Sequence, residues 1–398
     1  MCNNMQYLTS HPWITFKLDL SGDIPYTLWP LLGAAESKCR HLAGIPLSPD
    51  KQRELHRLSL HKGVKATTAI EGNSLSEDEI RKIADGRNAE FPKSKEYQRV
   101  EVENALNAYN AVLAEIDEKG SCPVSYEQLK LDNAAFLKGL KLKEEVIPGE
   151  IRTHSVVVGN YRGAPAGDCE FLMQKLFDWI HSGDWKVGKE HEIIEGILKA
   201  IIAHLYVAWV HPFGDGNGRS ARLLEFRLLM NANVPSTAAH LLTKHYNDTR
   251  TEYYNALDAT SKLHGNPATF LLYALQGFVD ALDEQIGIIL EEQLNVAWDH
   301  YIHSSVFREK HSKSQARQRD LLLAISAYNT PIPHDELRRR LPEVLLEEYA
   351  EKTSRVFNRD LNALEGRKLL VRTSKGILAA KDMMKAFLPV CRRNRESF

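Results

Sequence analysis

The sequence predicts a mainly α-helical protein: a helical bundle carrying one short β-hairpin, preceded by an N-terminal helical region and followed by a winged helix-turn-helix. Three observations predict it. Apolar residues recur at helical spacing over most of residues 26–300, as in VENALNAYNAVLAEI and FLMQKLFDWI. The stretch PGEIRTHSVVVGNYRGAP, Pro148 to Pro165, breaks that pattern, and its valine run with Gly-Asn punctuation reads as a hairpin. Beyond residue 311, three helical segments precede two short strand-like runs around Ser374-Lys375-Gly376, which is winged-helix order.

Three regions follow: residues 1–97, 98–300 and 311–398. In the first, Tyr26 to Arg81 is mostly helical, interrupted by GIPLSPDKQ, where Ser48 is placed to cap a helix starting at Pro49. A second start lies in NSLSEDEI, where Ser74 or Ser76 precedes acidic residues suited to the positive end of a helix. In the second region, IIEGILKAIIAHLYVAWV, Ile193 to Val210, is apolar almost all round, as expected of a buried helix. It ends at HPFGDGNGRSAR, after which ARLLEFRLLMNAN resumes helical periodicity. The polar segment EKHSKSQ, Glu309 to Gln315, reads as a linker. After it, QRDLLLAISAY, HDELRRRL and TSRVFNRDLNALEG give helices, and LLVRT and GILAA give strands. In the last helix Phe357, Leu361 and Leu364 share the core face, which leaves Arg355, Asn358 and Arg359 outward.

The 398 residues, 43% hydrophobic and 26% charged with a net charge of -1, are those of a globular protein with an ample core. The N-terminus has no basic run followed by an apolar stretch, and no uninterrupted apolar segment nears the roughly 18 residues of a membrane span. A cytoplasmic protein with no membrane partner is expected. Cys2, Cys39, Cys122, Cys169 and Cys391 are scattered without a C-x-x-C pair, which argues against a zinc site and a disulfide framework. The near-zero charge hides an asymmetry: residues 311–398 carry +7 and residues 1–310 carry -8.

The chemistry concentrates in HPFGDGNGRSAR, His211 to Arg222. Alternating Gly214, Gly216 and Gly218 let successive N–H groups form an anion-binding concavity, and the following helix adds its partial positive charge there. No Gly-Lys-Ser/Thr follows and no strand precedes, so this is neither a P-loop nor a dinucleotide fingerprint. Arg219 and Arg222, three apart, can project toward one polyphosphate. Asp215 is a hard oxygen ligand suited to Mg²⁺, and His211 can act as a base near neutral pH. Together they point to nucleotidyl or phosphoryl transfer.

HPFGDGNGRSAR resembles the signature of the Fic (filamentation induced by cAMP) family, H-P-F-x-[D/E]-G-N-G-R-x-x-R, at every defined position. The resemblance implies a Fic-type bundle and transfer of AMP from ATP to a Ser, Thr or Tyr hydroxyl of a target protein and of the enzyme itself. It implies that His211 deprotonates the hydroxyl, that Asp215 holds Mg²⁺, that Gly216, Asn217 and Gly218 form the anion hole, and that Arg219 and Arg222 hold the β and γ phosphates. GEIRTHSVVVG is similar to the family's target-binding flap, which gives Val156, Val157 and Val158 that role by β-augmentation. The segment after it, GAPAGD, has Pro165 alone where relatives are often proline-rich. NDTRTEYYNAL resembles the helix beside adenine, which makes Tyr253, Tyr254 and Leu257 pocket residues. Thr67-x-x-x-Glu71-Gly72 fits the inhibitory pattern [S/T]-x-x-x-E-[G/N] of members with an N-terminal inhibitory helix, so that Glu71 competes with the γ-phosphate for Arg222. The same residues leave open removal of AMP from a modified target, transfer of another nucleotidyl group such as UMP, and a transcriptional regulator with a vestigial Fic domain. ATP and a protein target are the implied partners. The winged helix leaves duplex DNA, protein docking or a homodimer open.

Overall fold

The computed structural model describes residues 5–87, 91–158, 161–262, 265–307, 312–350 and 352–387. The N-terminal helices are α1 (Tyr7–Ser10), α2 (Leu28–Gly44), α3 (Pro49–Ile70) and α4 (Glu77–Ala84). The start of α3 follows from its cap: Ser48 Oγ accepts from Lys51 N at 3.4 Å, and Pro49 contributes no N–H to be left unpaired. At α4 the cap is Ser76, not Ser74, because Glu79 three residues on closes a reciprocal capping box with it.

Then come α5 (Glu96–Lys119), α6 (Tyr126–Leu137), the hairpin β1 (Val157–Val158) and β2 (Tyr161–Arg162), α7 (Cys169–Ile180), α8 (Glu192–Val210), α9 (Asn217–Asn231), α10 (Ser236–Ala239), α11 (Leu241–Asp248), α12 (Arg250–Lys262) and α13 (Ala268–Tyr301). The core forms around α8 and α9. In α8, Ile197, Leu198, Ile201 and Leu205 are fully buried, so an apolarity sufficient by length and composition to cross a membrane is here consumed by packing against α2, α7 and α9. By contrast α9 buries Arg219, Arg222, Glu225 and Arg227. Buried charge is tolerated only when paired. Arg227 meets both oxygens of Asp132 on α6, Nε to Oδ2 at 2.8 Å and Nη2 to Oδ1 at 2.9 Å, and reaches Glu115 on α5 at 2.6 Å.

Two compact units divide at Glu284, inside α13. The boundary expected at residue 97 is therefore not a division: α3 packs on α5, α9, α10 and α11 within the first unit. The second boundary lies earlier than residues 300–311, because Trp298 is fully buried in the C-terminal core and its indole donates to Ser326 Oγ at 2.7 Å. Residues 309–311 of the expected linker lie outside the described residues, and Ser312 already caps the next helix.

The second unit continues with α14 (Lys313–Ser326), α15 (His334–Leu337), α16 (Glu343–Ala350), α17 (Ser354–Gly366) and the antiparallel hairpin β3 (Leu370–Thr373) and β4 (Gly376–Ala379). Ile332 pairs with Ile377 of β4 through an isolated antiparallel bridge. The acidic run EVLLEEYA forms α16, held by buried Leu345 and Tyr349. Fully buried Asp360 on α17 accepts from Arg317 Nε at 2.7 Å, Gln318 Nε2 at 3.1 Å and the Tyr349 hydroxyl at 3.1 Å. This network fixes the rotation of α17, so Phe357, Leu361 and Leu364 face the core and Arg355, Asn358 and Arg359 are exposed.

Candidate active site

A cavity of about 840 Å³ in the first unit is lined by residues from the α3 end, the hairpin, the α8–α9 loop and α12. The loop is held by side chains of other helices. Asn133 on α6 donates to Asp215 O at 2.9 Å and to Ser220 Oγ at 3.2 Å, and accepts from Gly149 N at 3.0 Å. Gly216 has φ +77°, and a Cβ there would lie 2.9 Å from Asn133 Nδ2, so both backbone and space demand glycine. At the first turn of α9 the leading N–H groups have no i-4 carbonyl to bond, which gives the cavity donors and a positive helix end.

His211 ends α8 in the left-handed region, φ 51° and ψ 60°, a conformation costly for a side chain other than glycine, asparagine or aspartate. Arg152 over-determines it. This buried arginine gives Nε to His211 O at 2.7 Å, Nη1 to His154 O at 2.6 Å, and Nη2 to Ala164 O at 2.5 Å and Val210 O at 3.2 Å. Its own N–H bonds Pro212 O at 3.0 Å. One side chain thus ties the end of α8 to the start and end of the hairpin segment. Burial is the main cause that lowers the His211 pKa to about 4, so the ring is a neutral imidazole at pH 7. Replacing Arg152 by glutamine should leave several carbonyls without donors, at about 1–3 kcal/mol each. The expected loss is about 3 kcal/mol, seen as a fall of about 6 °C or more in the melting temperature. An unchanged melting curve would contradict this.

Glu71, Thr67 and Arg222 come together as expected. Arg222, fully buried, donates from Nε to Thr67 Oγ1 at 2.8 Å and from Nη2 to Thr67 O at 3.1 Å and to Glu71 Oε1 at 2.6 Å. Burial pushes the Glu71 carboxyl up, but the charge and hydrogen bond of Arg222 outweigh it and hold the group below its ordinary value. Gly72, at φ +101°, lets the chain turn off α3 directly after the glutamate. Gly218 also serves this contact, because a Cβ there would come within 2.4 Å of Glu71 Oε1.

Asn217 clamps the turn with its side chain, Nδ2 donating to Phe213 O at 2.8 Å and Oδ1 accepting from Phe213 N at 2.9 Å. One motif residue departs from expectation. Arg219, expected beside Arg222 on one phosphate chain, does not line the cavity; it is buried and paired with Glu101 at 2.7 Å and Asp215 at 3.2 Å. Asp215 remains 44% exposed at the cavity edge, and no three His, Cys, Asp or Glu side chains gather as a metal site among the described residues. One open carboxylate fits Mg²⁺ held jointly with substrate phosphates, and does not form an all-protein cage.

Tyr253, Tyr254 and Leu257 all line the cavity. Tyr253 is buried, stacks on Tyr246 with centroids 4.9 Å apart, and sets its hydroxyl 2.9 Å from His204 Nε2, whose other ring nitrogen faces Glu225. Tyr254 is 40% exposed, so it is the accessible ring. The hairpin is shorter than expected. Val157 and Val158 pair with Arg162 and Tyr161, whereas Val156 joins only through its carbonyl, which accepts from Gly163 N at 3.1 Å. Gly159 and Asn160 lie outside the described residues. Tyr161 donates its hydroxyl to Trp209 O at 2.8 Å and Arg162 O is 2.9 Å from His11 Nε2, which anchors β2 and leaves Val157 and Val158 exposed on β1. No local pattern in the chain marks Asn133, Arg152, Glu101 or His204 as site residues.

Residues 123–229 match the model of the Fic/DOC family. The chain is 29% identical over 248 residues to protein adenylyltransferase fic-1 of Caenorhabditis elegans, a match covering 61% of this chain and 44% of that protein. It is 25% identical over 247 residues to the protein adenylyltransferase Fic of Nematostella vectensis, covering 61% and 52%. The chain thus spans about half the length of the curated relatives it matches. A Fic family protein from Desulfovibrio desulfuricans shares the fold at a TM-score of 0.53 and 21% identity, covering 88% of this chain and 94% of that one. Fic-1 from Caenorhabditis elegans does so at 0.52 and 23%, covering 66% and 73%. Residues 123–229, the segment that contributes the hairpin, α8 and α9 to the cavity, are thus similar to the Fic/DOC family.

Proposed function

We propose that this chain is an autoinhibited protein adenylyltransferase that moves AMP from ATP to a hydroxyl of a protein target and of itself. The observation that carries the reading is a single cavity in which neutral His211, the open N-terminus of α9, the exposed Asp215 carboxylate and the Arg222 fork blocked by Glu71 converge. The matched relatives bear the name protein adenylyltransferase. In this reading His211 takes the proton of the target hydroxyl, whose oxygen attacks the α-phosphorus while pyrophosphate leaves. Donors at the first turn of α9 hold the developing charge, and Arg222, once free of Glu71, holds the γ-phosphate. Asp215 would hold Mg²⁺, which supplies neutralisation of phosphate charge. The exposed β1 edge, Val157 and Val158, offers backbone pairing to an extended target segment, and Tyr254 and Leu257 offer walls to adenine. The same site could also run toward removal of AMP, with Glu71 orienting water.

The test is incubation of Glu71→Gly protein with Mg²⁺ and ATP labelled at the α- or the γ-phosphate, with and without His211→Ala. His211-dependent incorporation of α-label alone supports the proposal. Label carried only from the γ-phosphate means kinase chemistry, and no label from either leaves a vestigial Fic domain.

For the second unit we infer duplex DNA contact through α17, because the buried Asp360 network presents Arg355, Asn358 and Arg359 together and the β3–β4 turn adds exposed Lys375. Replacing Arg355 and Arg359 by alanine should weaken binding of random duplex about tenfold in a gel shift and flatten its salt dependence. Absent or salt-insensitive binding by the unaltered chain favours protein docking.

A further inference from the structure

The ion pairs around Arg219 assign that residue a task other than gripping phosphate. Its guanidinium is buried, and both described partners are carboxylates: Nη1 donates to Glu101 Oε1 at 2.7 Å and Nη2 to Asp215 Oδ1 at 3.2 Å. Its Nε is buried without a partner, so the group is held by these two contacts. Glu101, on α5 and 4% exposed, is occupied on its other oxygen as well, where Oε2 accepts from Asn73 Nδ2 at 2.9 Å. Asn73 lies two residues beyond Glu71, is itself buried, and also donates to Gln98 O at 3.0 Å. Its Oδ1 accepts from Leu75 N at 3.0 Å, so the turn that leaves α3 is registered on α5 through this side chain.

We propose that Glu101 and Arg219 are positioning residues for Asp215: Glu101 holds the guanidinium away from the nucleotide phosphates, and the guanidinium fixes one oxygen of Asp215 so that the exposed side of that carboxylate faces the cavity. This assignment rests on the nucleotide-binding reading of the site. It differs from a two-arginine clamp in a measurable way. A phosphate-gripping arginine strengthens nucleotide binding whether or not metal is present, whereas an arginine that orients a metal ligand matters only when the metal is present. The buried geometry favours the second. Arg219 would have to leave two carboxylates, one of them buried on α5, to meet a phosphate.

The experiment measures binding of a fluorescent ATP analogue to the full-length Glu71→Gly protein, in Mg²⁺ and in EDTA. Adding Glu101→Gln is expected to weaken binding about tenfold or more in Mg²⁺ and to leave binding in EDTA within about twofold, as loss of an outer contact to a metal ligand weakens only metal-dependent binding. Glu101→Gln leaves a buried guanidinium short of one anion, so the double replacement Glu101→Gln with Arg219→Gln, which removes both members of the pair, is measured beside it. It should show the same split between Mg²⁺ and EDTA. An equal loss in both conditions, or no loss in Mg²⁺, overturns the assignment while leaving the nucleotide reading in place. Failure of the Glu71→Gly parent to bind the analogue more tightly in Mg²⁺ than in EDTA overturns both.

Discussion

Glu71→Gly is expected to raise AMP transfer, measured as incorporation of α-labelled AMP at subsaturating ATP, by about 10- to 100-fold. The magnitude comes from one contact. Arg222 is fully buried and its Nη2 donates to Glu71 Oε1 at 2.6 Å, a charge-assisted hydrogen bond worth about 1.5–3 kcal/mol net. That span is a factor of about 10 to 100 in an equilibrium. With glycine at position 71, Thr67 still takes Nε and one Nη2 bond, so the guanidinium keeps its orientation and lacks its anion. A γ-phosphate then meets a preformed fork, with no carboxylate to repel it. The substitution is mild to the backbone, since Glu71 sits at the C-cap of α3 at φ -84° and Gly72 makes the turn. Unliganded protein should melt lower, because a buried cation has lost its partner, and ATP with Mg²⁺ should restore more of the melting temperature than it adds to the unaltered chain. Glu71→Gln, which keeps the shape and removes the charge, should fall between the two. A rate no higher than that of the unaltered chain excludes the brake.

What the sequence made legible here is what is contiguous or carries a strong local rule. The α8–α9 loop could be assembled from twelve consecutive residues, and α8 announced its burial by being apolar on every side. The capping box at Ser76 and Glu79 needed only a spacing of three. Arg219 shows where such reasoning stops. Two arginines three apart on a helix differ by roughly 60° in direction, which is a minor difference on a solvated surface. On a helix buried all round it sends Arg222 to α3 and Arg219 to α5. Glu101, Asn133 and Arg152 were invisible for a related reason. Each acts across a gap of 59 to 118 residues to its loop partner, and nothing in its own neighbourhood distinguishes it from a surface residue. The helix α16 was legible in principle, through Leu345 and Tyr349 four apart, but its glutamates break up that apolar spacing. The boundary in α13 followed the same pattern: polarity marked residues 309–315, whereas the fold assigns residues by which core receives Trp298.

Removing His211 should have the opposite and larger effect. In the Glu71→Gly background, His211→Ala is expected to lower AMP transfer by about 10²- to 10⁴-fold, the usual contribution of a positioned general base, with binding of a fluorescent ATP analogue nearly unchanged. Alanine is a poor occupant of φ 51°, so His211→Asn is the better-behaved companion: asparagine accepts the left-handed region and supplies no base of comparable strength. Agreement between the two separates loss of the imidazole from distortion of the loop. The pH profile adds a test that structure alone would not move. An ordinary histidine base would lose activity as pH falls through about 6.5. Burial holds His211 at about 4, so its neutral form persists through that range, and the acid limb of kcat/KM should lie near pH 4. The depressed value has a stability counterpart: between about pH 6.5 and 4 the unfolded chain binds the proton and the folded chain does not, so acidification destabilises the fold at this residue. Acid therefore offers no route around the brake. Glu71 is held below its ordinary carboxyl value by Arg222, so its carboxylate keeps the guanidinium paired as the pH falls from 7 to 5. The unaltered chain should accordingly show no activation on acidification from pH 7, and a rise in AMP transfer at pH 5 would contradict the placement of both groups.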